Sequence, residues 1–448
     1  MKVAGSDAVG PIDRAFLALA RYHQPTTGFL LDFAGPVPER AAFAARVVRR
    51  AAGLPALNLL RPAGRARSWR RRRTELDPEV HVRWRVGLRN AAELAAMTDE
   101  LLSRPLPGAA HPPWDVWVLG LDAGAEAVAG VGVGVGVGAG AEAGVGVGFR
   151  VLLRVHHAVQ DGVGAAHSAL ALFGDEPAAG PHLYPAGPPT ASGALLAAAD
   201  AARQLRAYGG PRDWPELRVS PAGRTGWVGR DVPLARLREL ADAAGTSVND
   251  VALAGLAGAL RDWHGGGAAT GRSELPVLVA MSTRGPAERY APGNHVVGHR
   301  LVLPTAAGRL PDALAAVRRQ TDAVRRTHTR DVRRLLVRMV PHRAGELAMA
   351  VVKNAVPIGV SSVTVADALH CLGAPLTGAS MIYDVHDGLL GYVSFTRAAG
   401  VLRCGLVYDT ALPRATELPG LWQRVVGGDV TDSAPSAPPA RPTAADAE

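Results

Sequence analysis

"RVHHAVQDGVGAAHSALALF", Arg154–Phe173, is the stretch on which the reading of this chain turns. The apolar run that begins at Phe149 ends at two adjoining histidines, His156 and His157. Asp161 and Gly162 follow at fixed spacing, and then a segment rich in small and apolar residues begins. The pattern reads as a strand that gives way to a helix. Such a strand end has a rigid backbone and an exposed tip, which suits a catalytic side chain. A neutral imidazole there can take a proton near pH 7. Adjacent residues on a strand face opposite ways. His156 and His157 therefore cannot both aim at one substrate: one is the base, and the other faces inward as a structural hydrogen bonder. Asp161, in the tight loop that follows, either holds that loop by a salt bridge or orients a histidine. Gly162 lets the backbone approach a substrate or take a positive φ.

The 448 residues suffice for two lobes, each with its own core. A composition of 48% hydrophobic and 20% charged residues is that of a globular chain and not of a disordered one. The net charge of +9 is carried almost wholly by arginine, since Lys2 and Lys353 are the only lysines. A GC-rich genome writing Arg for Lys accounts for this; attraction to anionic partners such as coenzyme A or a lipid surface is the functional alternative. Nothing in the sequence pairs these arginines with an aromatic platform or a nucleic-acid motif, so no nucleic-acid partner is expected. Cys371 and Cys404 have neither disulfide-framework nor metal-ligand spacing, which fits a reducing cytoplasm. The N-terminus lacks a cleavable signal pattern. Ala127–Ala141, about half glycine, is too short and too weakly apolar to span a bilayer. The expected location is cytoplasmic, with room for peripheral membrane contact.

Along the chain, strands are expected in "HVRWRVGL", "WDVWVLGLD" and "FRVLLRVHHAV", with an amphipathic helix in "AAELAAMTDELLSRPL". The Val–Gly alternation at 123–148 offers nothing to pack and reads as a low-complexity expansion of a hairpin loop. A Pro/Gly-rich linker at 176–215 separates a first lobe, 1–175, from a second, 216–427, and 428–448 reads as a disordered tail. The second half holds helices in "LARLRELADAAG" and "VNDVALAGLAGALRDW" and strands in "LPVLVAMST", "HRLVLPT", "LLGYVSFTR" and "LRCGLVYD". Alternating strands and helices in both halves indicate two α/β lobes around mixed sheets. The basic stretch "RRTHTRDVRRLLVRMVPHR" reads as a solvated helix face, against a membrane or coenzyme A phosphate contact. No G-x-S-x-G serine, reactive-cysteine signature or cluster of metal ligands is present, which favours direct transfer over a covalent enzyme intermediate.

The seven-residue pattern H-H-x-x-x-D-G, complete in "HHAVQDG", resembles the active-site motif of the CoA-dependent acyltransferase and condensation-domain superfamily. "GPIDRAFLAL", "SRPLPGAAHPPWDVWVLGL", "TSVNDVALAGLAGALR", "MSTRGPAERYAPGNHVVGHRLVLPT" and "LLGYVSFTRAAGVLRCGLVYDTAL" fall in the order and approximate spacing of the bacterial wax ester synthase/diacylglycerol acyltransferase family. The resemblance covers roughly Pro11 to Trp422. It implies two chloramphenicol-acetyltransferase-like α/β lobes with mixed sheets and a channel between them, with His157 at its middle. It further implies transfer of a fatty acyl group from acyl-CoA to a long-chain alcohol or diacylglycerol, with His157 as general base and no metal or prosthetic group. Contact with a membrane or lipid droplet would be peripheral.

The resemblance also places Trp114, Asn249, Asp250 and Asn294 near substrate. Each has a plainer reading: Trp114 as cover for a core edge, Asn249 or Asp250 as a helix N-cap, and Gly293–Asn294 as a turn. Arg284 in "MSTRG" follows a strand where relatives similarly place an arginine, and an Arg–carboxylate pair can be bidentate. Asp161 is therefore expected to pair with Arg284 and hold the loop, leaving His157 without a charged relay. Family members usually carry an Asn-Val-Pro-Gly stretch, which the corresponding "SSVTVADALHCLGAP" lacks. Two rival functions stay open. One is a free-standing condensation enzyme that uses carrier-protein-bound acyl groups; the other is a catalytically silent lipid-binding homologue.

Overall fold

The computed structural model describes residues 8–20, 24–62, 68–122, 147–185, 219–264, 274–339, 358–385 and 389–428, with isolated positions at 195, 199, 202, 214, 217 and 356. Most of the linker, the Val–Gly run as far as 146 and the tail from 429 lie outside the described residues. In chain order the strands begin with β1 (Thr26–Phe33), the two-residue β2 (Leu59–Leu60) and β3 (Arg70–Arg71), β4 (Val82–Leu88), β5 (Trp114–Leu121), β6 (Phe149–His156) and β7 (Thr225–Pro233). They continue with β8 (Leu275–Ser282), β9 (Val296–Leu303), β10 (Ile358–Thr364), β11 (His370–Cys371), β12 (Ala374–Tyr383), β13 (Gly391–Ala398) and β14 (Val401–Asp409).

Two six-stranded sheets organise the molecule, with orders β11-β12-β1-β6-β5-β4 and β7-β14-β13-β10-β8-β9. Both are mixed: β4–β5, β10–β13 and β10–β8 run parallel, and the other pairs antiparallel. This is the α/β architecture with two mixed sheets expected from the sequence. The contiguous second lobe at 216–427 needs correction, because β11 and β12, from the last quarter of the chain, complete the first sheet. β12 pairs with β1 over Thr27–Phe33. The reason is burial: the apolar residues of β12, Ala379, Met381 and Ile382, pack into the first core and not the second.

β5 and β6 read as near-continuous apolar runs because both of their faces are covered, and every residue of β6 is buried. Helix Gly162–Phe173 follows β6 and buries Ala165, Ala166, Ala169, Leu172 and Phe173 in the first core. The second core forms around helix Val248–Trp263, which is apolar on almost all sides and carries Val251, Leu253, Leu256, Leu260 and Trp263. Among the described residues no helix is long and apolar enough to cross a membrane.

Charge also ties the two sheets together. Arg403 of β14 donates to Asp32 of β1 at 2.6 Å and to Asp231 of β7 at 2.6 and 2.8 Å. Arg150 of β6 donates to the other oxygen of Asp32 at 2.6 Å. Burial alone would raise the Asp32 carboxyl, but the two guanidinium groups outweigh it and hold the group down to about 2.

The arginines correct two sequence readings. Aromatic platforms do exist: Arg83, Arg85 and Arg104 stand 5.5, 5.4 and 5.4 Å from the Trp117 ring, and Arg150 stands 4.9 Å from Trp227. The basic stretch after residue 324 is not simply a solvated face either. Arg325 pairs with Asp250 at 2.9 Å, Arg334 with Glu288 at 2.8 Å, and Arg330 lies 4.1 Å over Tyr184.

The insert read at 123–148 ends two residues too late. Val147 is buried in the first core, and Gly148 donates to the Phe33 carbonyl at 2.8 Å. A Cβ on Gly148 would stand 1.9 Å from the Gly35 carbonyl oxygen, so the backbones approach here only because no side chain is present. Gly148→Ala is expected to destabilise the protein by about 1–3 kcal/mol, as overpacking does. Chemical denaturation against the parent chain checks this.

Candidate active site

β6 runs out at His156, and the chain turns at once. The His156 ring is fully buried, and its Nδ1 accepts from the Ala158 amide at 3.1 Å, so it braces the turn from inside. His157 lies on the other side, held by its amide donating to the Pro25 carbonyl at 2.8 Å. Its imidazole stacks on Phe16 at 4.0 Å and meets Tyr383 edge-on at 5.0 Å. Nδ1 is sealed inside the protein without a hydrogen-bond partner, and the residue lines a cavity. Desolvation lowers the imidazole pKa to about 4, with its own backbone carbonyl, the Asp161 charge and the Asn294 side chain pulling the other way. The ring is thus neutral at physiological pH.

Asp161 is the N-cap of helix Gly162–Phe173, a role the sequence reading did not assign. Its Oδ1 accepts from the Gly164 amide at 2.8 Å. The carboxylate also receives Arg284 in two-point fashion, Nε at 3.3 Å and Nη2 at 2.7 Å, and accepts from the His295 amide at 2.8 Å. Burial pushes this carboxyl up, but Arg284 outweighs burial and holds it down to about 2. Arg284 spends its remaining N–H groups on the carbonyls of Glu288, Ala291 and Gly293 at 2.5, 2.8 and 2.9 Å. Asp161 and Arg284 therefore meet in the fold, and the carboxylate serves the loop.

Gly162 opens the helix where a Cβ would come within 2.6 Å of the Met381 Cε, so the glycine makes room for β12. Asn294 donates from Nδ2 to the His157 carbonyl at 2.7 Å. The glycine before it, with φ of 85°, donates from its amide to the Val159 carbonyl at 2.7 Å. Gly293, Asn294 and His295 thus grip the His157–Asp161 turn at three points. This is more than the simple turn that Gly293–Asn294 suggested.

His157, Phe16, Gly162, Met381, Tyr383 and Tyr392 help to line a cavity of about 190 Å³. A larger one of about 620 Å³ adjoins it, and Val163, Ala280, Ser282, Ser362 and Val363 line both. The opening follows from the sheet: β8 and β10 pair only at Leu278–Val279 against Gly359–Val360 and then part. β10 supplies Ser361, Ser362 and Val363 to the wall.

Two predicted substrate residues need correction. Trp114 is wholly buried, stacks on His81 at 4.2 Å and donates to the Leu57 carbonyl at 2.8 Å. It belongs to the first core because β5 sits inside the sheet, between β4 and β6. Asp250 is buried as the capping-box partner of Ser247 and accepts from Thr246 and Arg325 at 2.7 and 2.9 Å, so its role is to begin a helix. Its neighbour Asn249 does line the larger cavity and accepts from the Ser362 hydroxyl. Sequence reasoning missed Phe16, Tyr383 and Tyr392, because ordinary aromatic residues on separate elements carry no spacing signal.

Asp161→Asn and Arg284→Gln should each cost roughly 3–5 kcal/mol, since each leaves a buried partner uncompensated. The double variant should cost clearly less than the sum, measured by denaturant unfolding; strict additivity would mean that the pair does not act as a unit.

No family model and no curated protein sequence matches the chain. Solved structures do. The wax ester synthase/diacylglycerol acyltransferase from Marinobacter aquaeolei VT8 is similar over 94% of this chain and 98% of that one, with a TM-score of 0.64 at 20% identity. The first condensation domain of the calcium-dependent antibiotic synthetase, in complex with a substrate analogue, is similar over 95% and 96%, with a TM-score of 0.60 at 17% identity. A mutant starter condensation domain of rhizomide synthetase, in complex with C8-CoA and Leu-SNAC, is similar over 95% and 93%, with a TM-score of 0.57 at 15% identity. The chain accordingly has the fold that the wax ester synthase and the condensation domains share.

Proposed function

We propose that the protein is an acyl-CoA-dependent O-acyltransferase that moves a fatty acyl group to a long-chain alcohol or diacylglycerol, with His157 as general base. One observation carries this reading: a buried imidazole, neutral by desolvation, lines a cavity while its nearby carboxylate is engaged by Arg284 and two backbone amides. In the proposed step Nε2 takes the hydroxyl proton as the acceptor oxygen attacks the thioester carbonyl. The C–S bond then breaks, and the leaving thiolate recovers the proton from the imidazolium. The step needs no metal or prosthetic group. The cytoplasm, with peripheral access to lipid, is the setting this chemistry suits. A second reading draws on the two condensation domains among the similar structures: the donor would be an acyl group on a carrier protein.

The test is thiol release from palmitoyl-CoA with a long-chain alcohol, diacylglycerol or no acceptor, beside an acyl carrier-protein donor. Release that depends on the alcohol or diacylglycerol supports the first reading. Turnover of the carrier-bound donor alone moves the assignment to the second, and no turnover of either removes both. His157→Ala should lower the rate by about 10²–10⁴-fold at an unchanged melting temperature, whereas His156→Ala should lower stability.

The pH profile follows from the same burial. The base is lost only when His157 protonates, so the rate should stay level from neutrality to about pH 5 and halve near pH 4. Between about 6.5 and 4 the unfolded chain binds a proton that the folded site refuses, so His157 contributes falling stability as pH drops across that window. The Asp161 contribution is present above about 4 and is lost as pH falls toward about 2. An acid limb near pH 6.5 would sink the desolvated-base reading.

A further inference from the structure

Helix Pro11–Leu19 belongs to neither sheet, yet it meets the His157 turn twice. Asp13, its third residue, is only 4% exposed. Carboxylates in a first helical turn usually sit in water, where the helix dipole favours them. This one is buried, and its partners are N–H groups: Oδ2 accepts from the Gly10 amide at 3.0 Å, and Oδ1 accepts from both the backbone amide and Nδ2 of Asn294 at 2.8 Å each. Burial raises its pKa above the ordinary carboxyl value, and the Asn294 and Gly10 bonds pull it back.

Gripping one asparagine by main chain and side chain together fixes the plane of its amide. The orientation is unambiguous, because Asp13 Oδ1 and the His157 carbonyl are both acceptors and only the NH₂ group can serve both. Gly293 has been left bare for the contact: a Cβ there would stand 2.7 Å from Asp13 Oδ2. Phe16 lies one turn along the same helix face and carries the ring that stacks on His157 at an interplanar angle of 18°. Asp13 itself does not line the cavity, whereas Ile12 and Phe16 do.

We infer that Asp13 is a positioning residue for His157: it locks Asn294, and through it the His157 carbonyl, while Phe16 from the same helix face sets the plane of the imidazole. The inference rests on the proposed function in taking His157 as the base. Loosening the lock lets the imidazole tilt and admits water beside it, which weakens both the reaction geometry and the desolvation.

Asp13→Ala and the near-isosteric Asp13→Asn test this with two readouts. Thiol release should fall in kcat by up to ~10²-fold, the scale of a small misplacement of a catalytic group, with little change in KM. His157 titration, followed by NMR in ¹⁵N-histidine-labelled protein, should move up from about 4 toward the ordinary imidazole value. The groups that face the ring or its immediate neighbours are Asp161, Tyr383, Arg284, His295 and Asn294. The substitution frees Asn294 and removes a negative charge near Asp161, and loss of that charge by itself would lower the His157 pKa, opposite in sign to the expected shift. A purely structural role would lower the melting temperature and leave the titration and the kcat-to-KM split unmoved. A folded variant with wild-type kcat and wild-type titration overturns the inference. Where Asp13→Ala does not fold, Asp13→Asn decides, because it keeps the shape and loses one acceptor. If no donor gives thiol release even in the parent chain, the proposed function falls, and the titration still decides whether Asp13 positions the ring.

Discussion

The guanidinium of Arg284 is the group on which the site depends. It is fully buried, and all five of its N–H donors are used: two on Asp161 and three on the carbonyls of Glu288, Ala291 and Gly293. At 2.7 Å and an effective dielectric of about 20, the attraction to Asp161 is about 6 kcal/mol. Removing the two charges from water costs several kcal/mol per ion, so Coulomb attraction alone does not make the pair stabilising. The satisfied hydrogen bonds decide the balance, and they also specify geometry. The segment from 284 to 293 is wrapped around its own arginine, and this wrapping delivers Gly293, Asn294 and His295 to the turn that carries His157. A hydrophobic pair of equal volume could fill the same space, but it could not fix three backbone carbonyls and a helix cap at once.

The motif region was legible because its spacing is covalent. His156, His157, Asp161 and Gly162 lie within seven residues, and a strand followed by a helix leaves few ways to arrange them. Strands that alternate or run apolar between clear turn signals, such as β4, β5 and β14, were read within a residue of their ends, and β6 was run three residues past His156. β1, β7, β10 and β12 were not read. "TTGFLLDF" opens with two threonines and a glycine, and "APLTGASMIY" is short of large apolar residues, so neither carries a clean period. Their strand character comes from pairing: Gly28 is there because a Cβ would stand 1.9 Å from the Leu153 carbonyl oxygen of β6. The same holds for the site. Arg284 could be paired with Asp161 from the resemblance and from charge. The distant set of Asp13, Phe16, Tyr383 and Tyr392 is brought together by topology, above all by β12 crossing into the first sheet, and no local pattern reports that.

The excess of arginine takes on a different meaning in the fold. Read from composition, +9 leaves anionic partners open. Arg150, Arg154, Arg284 and Arg403, however, are among the largest fully buried side chains, and each is bound to an aspartate. A planar, permanently charged fork suits this use in a way that lysine does not. With aromatic residues at only 5% of the chain, rigid charged forks supply part of the specificity that large rings supply in other cores. Charge count alone is therefore a poor guide to partners here.

On the proposed reading, a base held near pH 4 is always available at neutrality, but it is a weak base, and proton transfer gains from a pKa nearer the working pH. The arrangement around His157 bears on that tension. In the free site the ring is buried and uncharged, stacked on Phe16 and edge-on to Tyr383, with no charged group in contact with it among these neighbours. As the proton arrives, the ring becomes a cation beside its own carbonyl and within the field of Asp161. Asp161 need not touch the imidazole for this. A carboxylate pinned by Arg284, Gly164 and His295 cannot swing in to form a relay, but it also cannot reorganise away. Its charge is a fixed feature of the site, of the kind that favours a developing charge without reorganisation at the moment of reaction. On the proposed reading, Asp161 thus serves twice through one geometry: it caps the helix that holds the turn, and it supplies a constant field at the ring that must become positive.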